Sequence, residues 1–176
     1  AYEPQTIISA GRLVPWKGFG TLVEILKSLP EWKLFIAGDG PMRKELESLA
    51  AQKGVKARVF FLGQLPRGEL IKKIQNSEVF ALNTSFESFS FQIVEAMTAG
   101  TPVIATSIGN LREIIDDGKN GILVTPNDEA AFIFNIKRLS ADEFFRKRII
   151  TEARRKSLEF SIDNTVNNLL RHFQKL

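Results

Sequence analysis

The chain has 176 residues, 44% of them apolar and 25% charged, a globular balance that excludes disordered and fibrous classes. Cysteine is absent and histidine occurs once, as His172, which removes thiol nucleophiles, iron–sulfur clusters, cysteine-ligated zinc and every multi-histidine metal site. The net charge of +4 favours anionic partners such as phosphates or an acidic lipid surface, without pointing to nucleic acid.

Six short apolar runs alternate with helix-length segments. Thr6 to Ala10 is the first predicted strand, and the loop Gly11-Arg12-Leu13-Val14-Pro15-Trp16-Lys17-Gly18 follows it. Arg12 and Lys17 in isolation read as two surface cations. Over the end of a strand and beside a helix start, they make an anion site, with Arg12 able to hold phosphate bidentately. Trp16 reads as partly packed against the sheet. Phe19, Leu22, Val23, Leu26 and Leu29 keep helical spacing until Pro30 ends it.

The second strand, Trp32 to Ala37, runs into Gly38-Asp39-Gly40-Pro41. A third glycine is missing at Arg43 and no acidic residue stands near Arg58-Val59-Phe60, so this is a tight turn near a ligand and not a nicotinamide fingerprint. A helix follows, with Leu46, Leu49 and Ala50 on one stripe. The third strand, Arg58 to Leu62, leads past Gln64 to Pro66 and a helix carrying Leu70, Ile71 and Ile74.

The fourth strand, Val79 to Asn83, opens the richest segment, Thr84-Ser85-Phe86-Glu87-Ser88-Phe89-Ser90-Phe91-Gln92-Ile93-Val94-Glu95. Small polar residues lead into a helix starting near Ser90 or Phe91 and ending before Gly100, whose first N–H groups favour an anion. Glu87 precedes that helix, and Glu95 lies about one turn inside it. Their separation, roughly 12 Å along a helix or more if extended, is about the reach of a sugar–diphosphate–ribose unit. Taken alone, Glu87 reads as a solvated loop acid. Glu95, beside Val94, Ala96 and Met97, is costly to bury without a partner.

Pro102 to Ala105 and Gly121 to Thr125 are the last two strands, with a short helix containing Glu113 between them. Two or three helices follow Asn127. The basic run 146–148 with 154–156 is the one charge cluster. Phe145, Ile149, Ile150 and Ala153 form one stripe of a helix, and Lys147, Arg148, Arg154 and Arg155, largely away from it, read as a solvated face, with a membrane-surface patch as the alternative. Near-continuous apolar strands separated by helices predict one domain over residues 1–176. It is a doubly wound, Rossmann-like α/β fold with a six-stranded parallel sheet covered by helices on both faces.

Several chemistries lack their residues. No Walker loop, no Gly-x-Ser-x-Gly elbow and no Asp-x-Asp triplet occur, and Ser85, Ser88 and Ser90 have no histidine nearby. His172 reads as a surface or packing residue. No apolar stretch approaches the roughly 18 residues of a membrane span, and the first residues lack signal-peptide character.

Gly11-Arg12 with Lys17-Gly18-Phe19, Ala37 to Pro41, Phe61-Leu62-Gly63, Glu87 to Glu95 with Ala96-Met97, Gly100 to Ala105, and Asp117 to Gly121 with Leu123-Val124 together resemble one set of motifs. These are the motifs of the C-terminal half of retaining glycosyltransferase family 4, of the two-domain type B fold (GT-B). The resemblance implies a donor-binding domain for a nucleoside-diphosphate sugar, one half of an enzyme moving a hexosyl group, for example mannosyl or glucosyl, to a glycan or lipid acceptor. It implies that Arg12 and Lys17 bind the diphosphate and stabilise the departing nucleotide. Glu87 would hold sugar hydroxyls, and the backbone of Ser88, Phe89 and Ser90 would lie against sugar and distal phosphate. Glu95 would hold the ribose and Gln64 would lie near the base.

The family usually needs no metal, which suits the missing Asp-x-Asp, so no cofactor is expected. Ser88, Ser90 and Arg112 stand where many relatives have other residues, and they leave the sugar open. The acceptor-binding N-terminal domain is expected to lie outside this chain, which alone would bind donor weakly and turn over nothing. The expected location is cytoplasmic, peripheral at the inner membrane face if the acceptor is a lipid. Two alternatives are a non-catalytic nucleotide- or phosphate-binding module, and a GT-B nucleotide-sugar epimerase.

Overall fold

The computed structural model describes residues 2–160; His172 lies outside them. Six strands form one sheet: β1 (Glu3–Ala10), β2 (Lys33–Ala37), β3 (Val59–Gly63), β4 (Ser77–Leu82), β5 (Val103–Thr106) and β6 (Ile122–Val124). Their spatial order is β3-β2-β1-β4-β5-β6 and every pairing is parallel. The doubly wound, Rossmann-like sheet expected from the alternating runs is therefore the observed one.

Seven α-helices connect or flank the strands among the described residues: α1 (Phe19–Glu24), α2 (Arg43–Gln52), α3 (Arg67–Gln75), α4 (Phe91–Ala99), α5 (Leu111–Ile114), α6 (Glu129–Ala141) and α7 (Glu143–Ser157). Alternate strand residues feed two separate cores, as the two-residue period of a strand requires. Ile7, Leu34, Ile36, Val79, Ala81 and Ile104 pack with α1, α2 and α6, while Ile8, Phe35, Phe80, Leu82 and Val103 pack with α3, α4 and α5. Register places Ile8 beside both Phe35 and Phe80. Helix α7 starts against the first core through Phe145 and Ile149 and finishes against the second through Ala153.

The basic face of α7 is more occupied than expected. The Arg146 side chain is partly buried, 14% exposed, 3.7 Å from the carboxylate of buried Glu78 and 4.6 Å from the Tyr2 ring. Burial holds its guanidinium below the ordinary arginine value. Lys147, Arg155 and Lys156 pair with Glu143, Glu152 and Glu159. The expected strand began at Val79, one residue after Glu78, so the acid that takes Arg146 inward stayed outside it. No helix among the described residues is long and apolar enough to cross a membrane.

Candidate functional site

In an open parallel sheet, ligand sites lie outside the carboxyl ends of the strands, because loops and helix N-termini converge there. Here the loops are tied together by backbone bonds. Gly11 N–H donates to Ala37 O at 2.9 Å, Leu13 N–H to Asp39 O at 2.9 Å, and Gly38 N–H to Gly63 O at 2.7 Å. The loops after β1, β2 and β3 thus form one rigid rim.

The loop after β4 is bound to its neighbours on both sides. Ser85 N–H donates to Trp16 O at 2.8 Å, and the Thr106 hydroxyl donates to Thr84 O at 2.6 Å. Asn83 Nδ2 donates to Gly18 O at 3.0 Å and to Asn127 Oδ1 at 2.9 Å, while Asn127 N–H donates back to Asn83 Oδ1 at 3.0 Å. Trp16 is therefore held through its carbonyl, and the residue stays about half exposed.

Lys17 and Glu87 meet. Lys17 Nζ donates to Glu87 Oε2, and the two side chains keep only 15% and 13% of their exposure. The pair joins the short 3-10 turn Pro15–Lys17 to the loop before α4 across a sequence separation of 70. Arg12 is exposed and its side chain, among the described residues, has no hydrogen-bond or ion-pair partner. It lines a cleft of about 670 Å³ with Gly11, Gly38, Asp39, Gln64 and Gln92.

Ser90 is buried and caps α4, its hydroxyl accepting from Ile93 N–H at 3.4 Å. Ser88 O accepts from Asn110 Nδ2 at 2.7 Å, and the Phe89 ring packs edge-on to Phe91 and Phe160 at centroid distances of 5.0 and 5.7 Å. The side chains of Phe89 and Ser90 are thus committed to structure, leaving their backbone for any ligand. The N–H groups of Phe91 and Gln92, in the first turn of α4, have no acceptor among the described residues, as a helix start leaves them. Ser90→Ala should cost about 1 kcal/mol of stability by removing the cap, read as a lowered urea midpoint at unchanged slope.

Glu95, on the second turn of α4, is held by Arg67: Arg67 Nε donates to its Oε1 at 2.7 Å. The Glu95 side chain is 15% exposed and that of Arg67 80%. Both line a groove of about 560 Å³ bounded by α3, α4 and the end of α7, which shares no lining residue with the Arg12 cleft. So the structure brings Arg12 to Gln64, and Lys17 to Glu87, and it places Glu95 one helical turn from Gln92 of the cleft. Lys17, Glu87 and Glu95 do not themselves line the cleft. No group of three histidine, aspartate or glutamate side chains arranged to hold a metal ion exists among the described residues.

Sequence reasoning missed Arg67, Gln92 and Asn127. Asn127 carried a signal, because Pro-Asn-Asp after a strand marks a turn that asparagine enters at positive φ, here +61°. Arg67 and Gln92 carried none that composition or periodicity could show.

The family described as "Glycosyl transferases group 1" matches residues 2–156. An uncharacterized glycosyltransferase of Methanocaldococcus jannaschii is 37% identical over 167 residues, covering 92% of this chain and 43% of that protein. D-inositol 3-phosphate glycosyltransferase of Xylanimonas cellulosilytica is 36% identical over 169 residues, covering 93% and 40%. The chain therefore spans less than half the length of these relatives. The structure of Anabaena HepE in complex with UDP superposes with a TM-score of 0.90 at 27% identity, covering 98% of this chain and 49% of that one. The C-terminal domain of a group 1 glycosyl transferase from Francisella tularensis gives 0.80 at 26% identity, covering 92% and 88%.

Proposed function

Because the chain belongs to the group 1 glycosyl transferases, we propose that it is the donor-binding half of a retaining family 4 enzyme, moving a hexosyl group from a nucleoside diphosphate to a glycan or lipid acceptor. The observation that carries this reading is the contact of Lys17 with Glu87 at the rim where Arg12 opens on the cleft. A cation and a hydroxyl acceptor are adjacent there, beside a helix start with unused N–H groups. That is the donor set a sugar joined to a diphosphate needs.

The roles follow from charge and place. Breaking the bond between the anomeric carbon and the phosphate oxygen sends the electron pair to the departing diphosphate. Arg12, Lys17 and the start of α4 neutralise that growing charge, which lowers the barrier. Glu87 accepts hydrogen bonds from sugar hydroxyls, and the backbone of Ser88, Phe89 and Ser90 lies against sugar and distal phosphate. Glu95 accepts from the ribose hydroxyls, and Gln64 lies near the base. No metal is required, since the two cations and the helix N–H groups occupy its role. The other α/β half of the enzyme supplies the acceptor site.

HepE, whose structure holds UDP, supports a nucleoside diphosphate as the ligand class for this domain. A thermal-shift titration with UDP, GDP and ADP in the presence of EDTA tests the reading. One nucleotide should raise the melting temperature, because a ligand at about 100 times its dissociation constant stabilises by about 2.7 kcal/mol, or roughly 5–11 °C for a chain of this size. No response at millimolar concentration from any of the three, with or without magnesium, rejects the proposal. A response that appears only with magnesium rejects the metal-free part of it.

A further inference from the structure

Arg67 breaks a local rule. It is the first residue of α3, where the helix dipole disfavours a cation, and its side chain is 80% exposed. The residue before it, Pro66, offers no side-chain cap. Exposed ion pairs contribute little to stability, typically about 0–1 kcal/mol, so folding gives a weak reason for this arginine. Its geometry gives a stronger one. Arg67 Nε reaches Glu95 Oε1 at 2.7 Å, across 28 residues and from a different helix.

Glu95 is confined on α4, and its second oxygen has no partner among the described residues. Gln92 lies one turn earlier on the same flank and lines the cleft shared with Arg12 and Gln64. We infer that Arg67 is a positioning residue: its guanidinium fixes one Glu95 oxygen so that the other faces the ribose hydroxyls of a bound nucleoside diphosphate. The inference rests on the reading of Glu95 as the ribose acceptor and adds the group that sets its orientation. A carboxylate held at one oxygen loses less rotamer freedom when ligand arrives, which is how preorganisation raises affinity.

Calorimetric titration of the wild-type chain, Arg67→Ala, Arg67→Lys, Glu95→Gln and the Arg67→Ala/Glu95→Gln double variant tests this. The probes are UDP, GDP and ADP, each with its 2′-deoxy counterpart, and the pair that binds tightest carries the comparison. The wild type should prefer the ribose form by about tenfold, because a site built to accept a hydroxyl rejects the analogue lacking it. Glu95→Gln should erase that preference. Arg67→Ala should weaken the ribose nucleotide about fivefold and leave the deoxy form within about twofold, with Arg67→Lys recovering most of the loss and the double variant no weaker than Glu95→Gln alone. Melting temperatures within a degree or two of wild type, expected for so exposed a residue, show that the fold is intact.

If Glu95→Gln erases the preference and Arg67→Ala retains it, or weakens both forms equally, the positioning role fails and the donor-site reading stands. If Glu95→Gln retains the preference, Glu95 is not the ribose acceptor and both fall. No binding of any probe by the wild type overturns both as well.

Discussion

Lys17→Ala should weaken the preferred nucleoside diphosphate by about 10- to 100-fold while leaving the matching nucleoside within about twofold. Charge-assisted hydrogen bonds contribute about 1.5–3 kcal/mol, and each 1.4 kcal/mol is a factor of ten in affinity. Lys17 should exceed Arg12→Ala, although both are cations on one loop. Arg12 is exposed and unpartnered, so its loss removes one positive charge from a wet rim. Lys17 covers Glu87, and its loss both deletes a cation and leaves a confined carboxylate unpaired, whose charge repels a bound diphosphate. That makes the two positions non-additive in a specific way. Lys17→Ala combined with Glu87→Gln should recover part of the affinity for the diphosphate, because the repelling charge is gone. Glu87→Gln alone should bind the nucleoside diphosphate at least as well as wild type, yet lose the added affinity of the sugar-bearing donor. Calorimetry with nucleoside, diphosphate and diphosphate sugar reads all of these. Equal losses for nucleoside and diphosphate in Lys17→Ala would contradict the phosphate role.

The strands were legible because a sheet covered on both faces demands nearly continuous apolar residues, and Ile7-Ile8, Leu34-Phe35-Ile36 and Val79-Phe80-Ala81-Leu82 supply them. Loops inherit their place from the strands, so Arg12 and Gln64 reaching one cleft followed from topology alone. Pairings between side chains were less visible. Lys17 with Glu87, and Arg67 with Glu95, depend on how the β1 loop meets the β4 loop and on how α3 lies against α4. Neither is a periodicity. The Arg146–Glu78 contact was hidden for a related reason: a helix pattern does not reveal which acid of a neighbouring strand lies beside a basic residue at the edge of the apolar stripe. Glu95 is only partly buried, its side chain 15% exposed, and its partner is the exposed Arg67 on the neighbouring helix.

Gly38→Ala should destabilise the domain by about 3–5 kcal/mol, since it combines backbone strain with overpacking against an atom that cannot move. Gly38 sits at φ +134°, a conformation that side-chain-bearing residues rarely adopt, and a Cβ placed there would lie 1.9 Å from the Gly11 carbonyl oxygen. Gly40 repeats the constraint, its own Cβ falling 2.5 Å from Leu13 O. The loops after β1 and β2 therefore run backbone against backbone, held by the Gly11–Ala37 and Leu13–Asp39 bonds. A methyl group would have to push the Arg12 loop outward or break those bonds, so nucleotide affinity should fall together with stability. Gly68 gives the internal comparison: it lies inside α3 with nothing within 4 Å of an added Cβ, and alanine there should stabilise by about 0.5–1 kcal/mol. Equilibrium urea unfolding of the two variants separates the effects, and the Gly38→Ala melting temperature should drop by at least about 6 °C. A Gly38→Ala loss below about 1 kcal/mol, less than one strained residue ordinarily costs, would mean that the two loops have room between them. Arg12 would then be placed by something other than this contact.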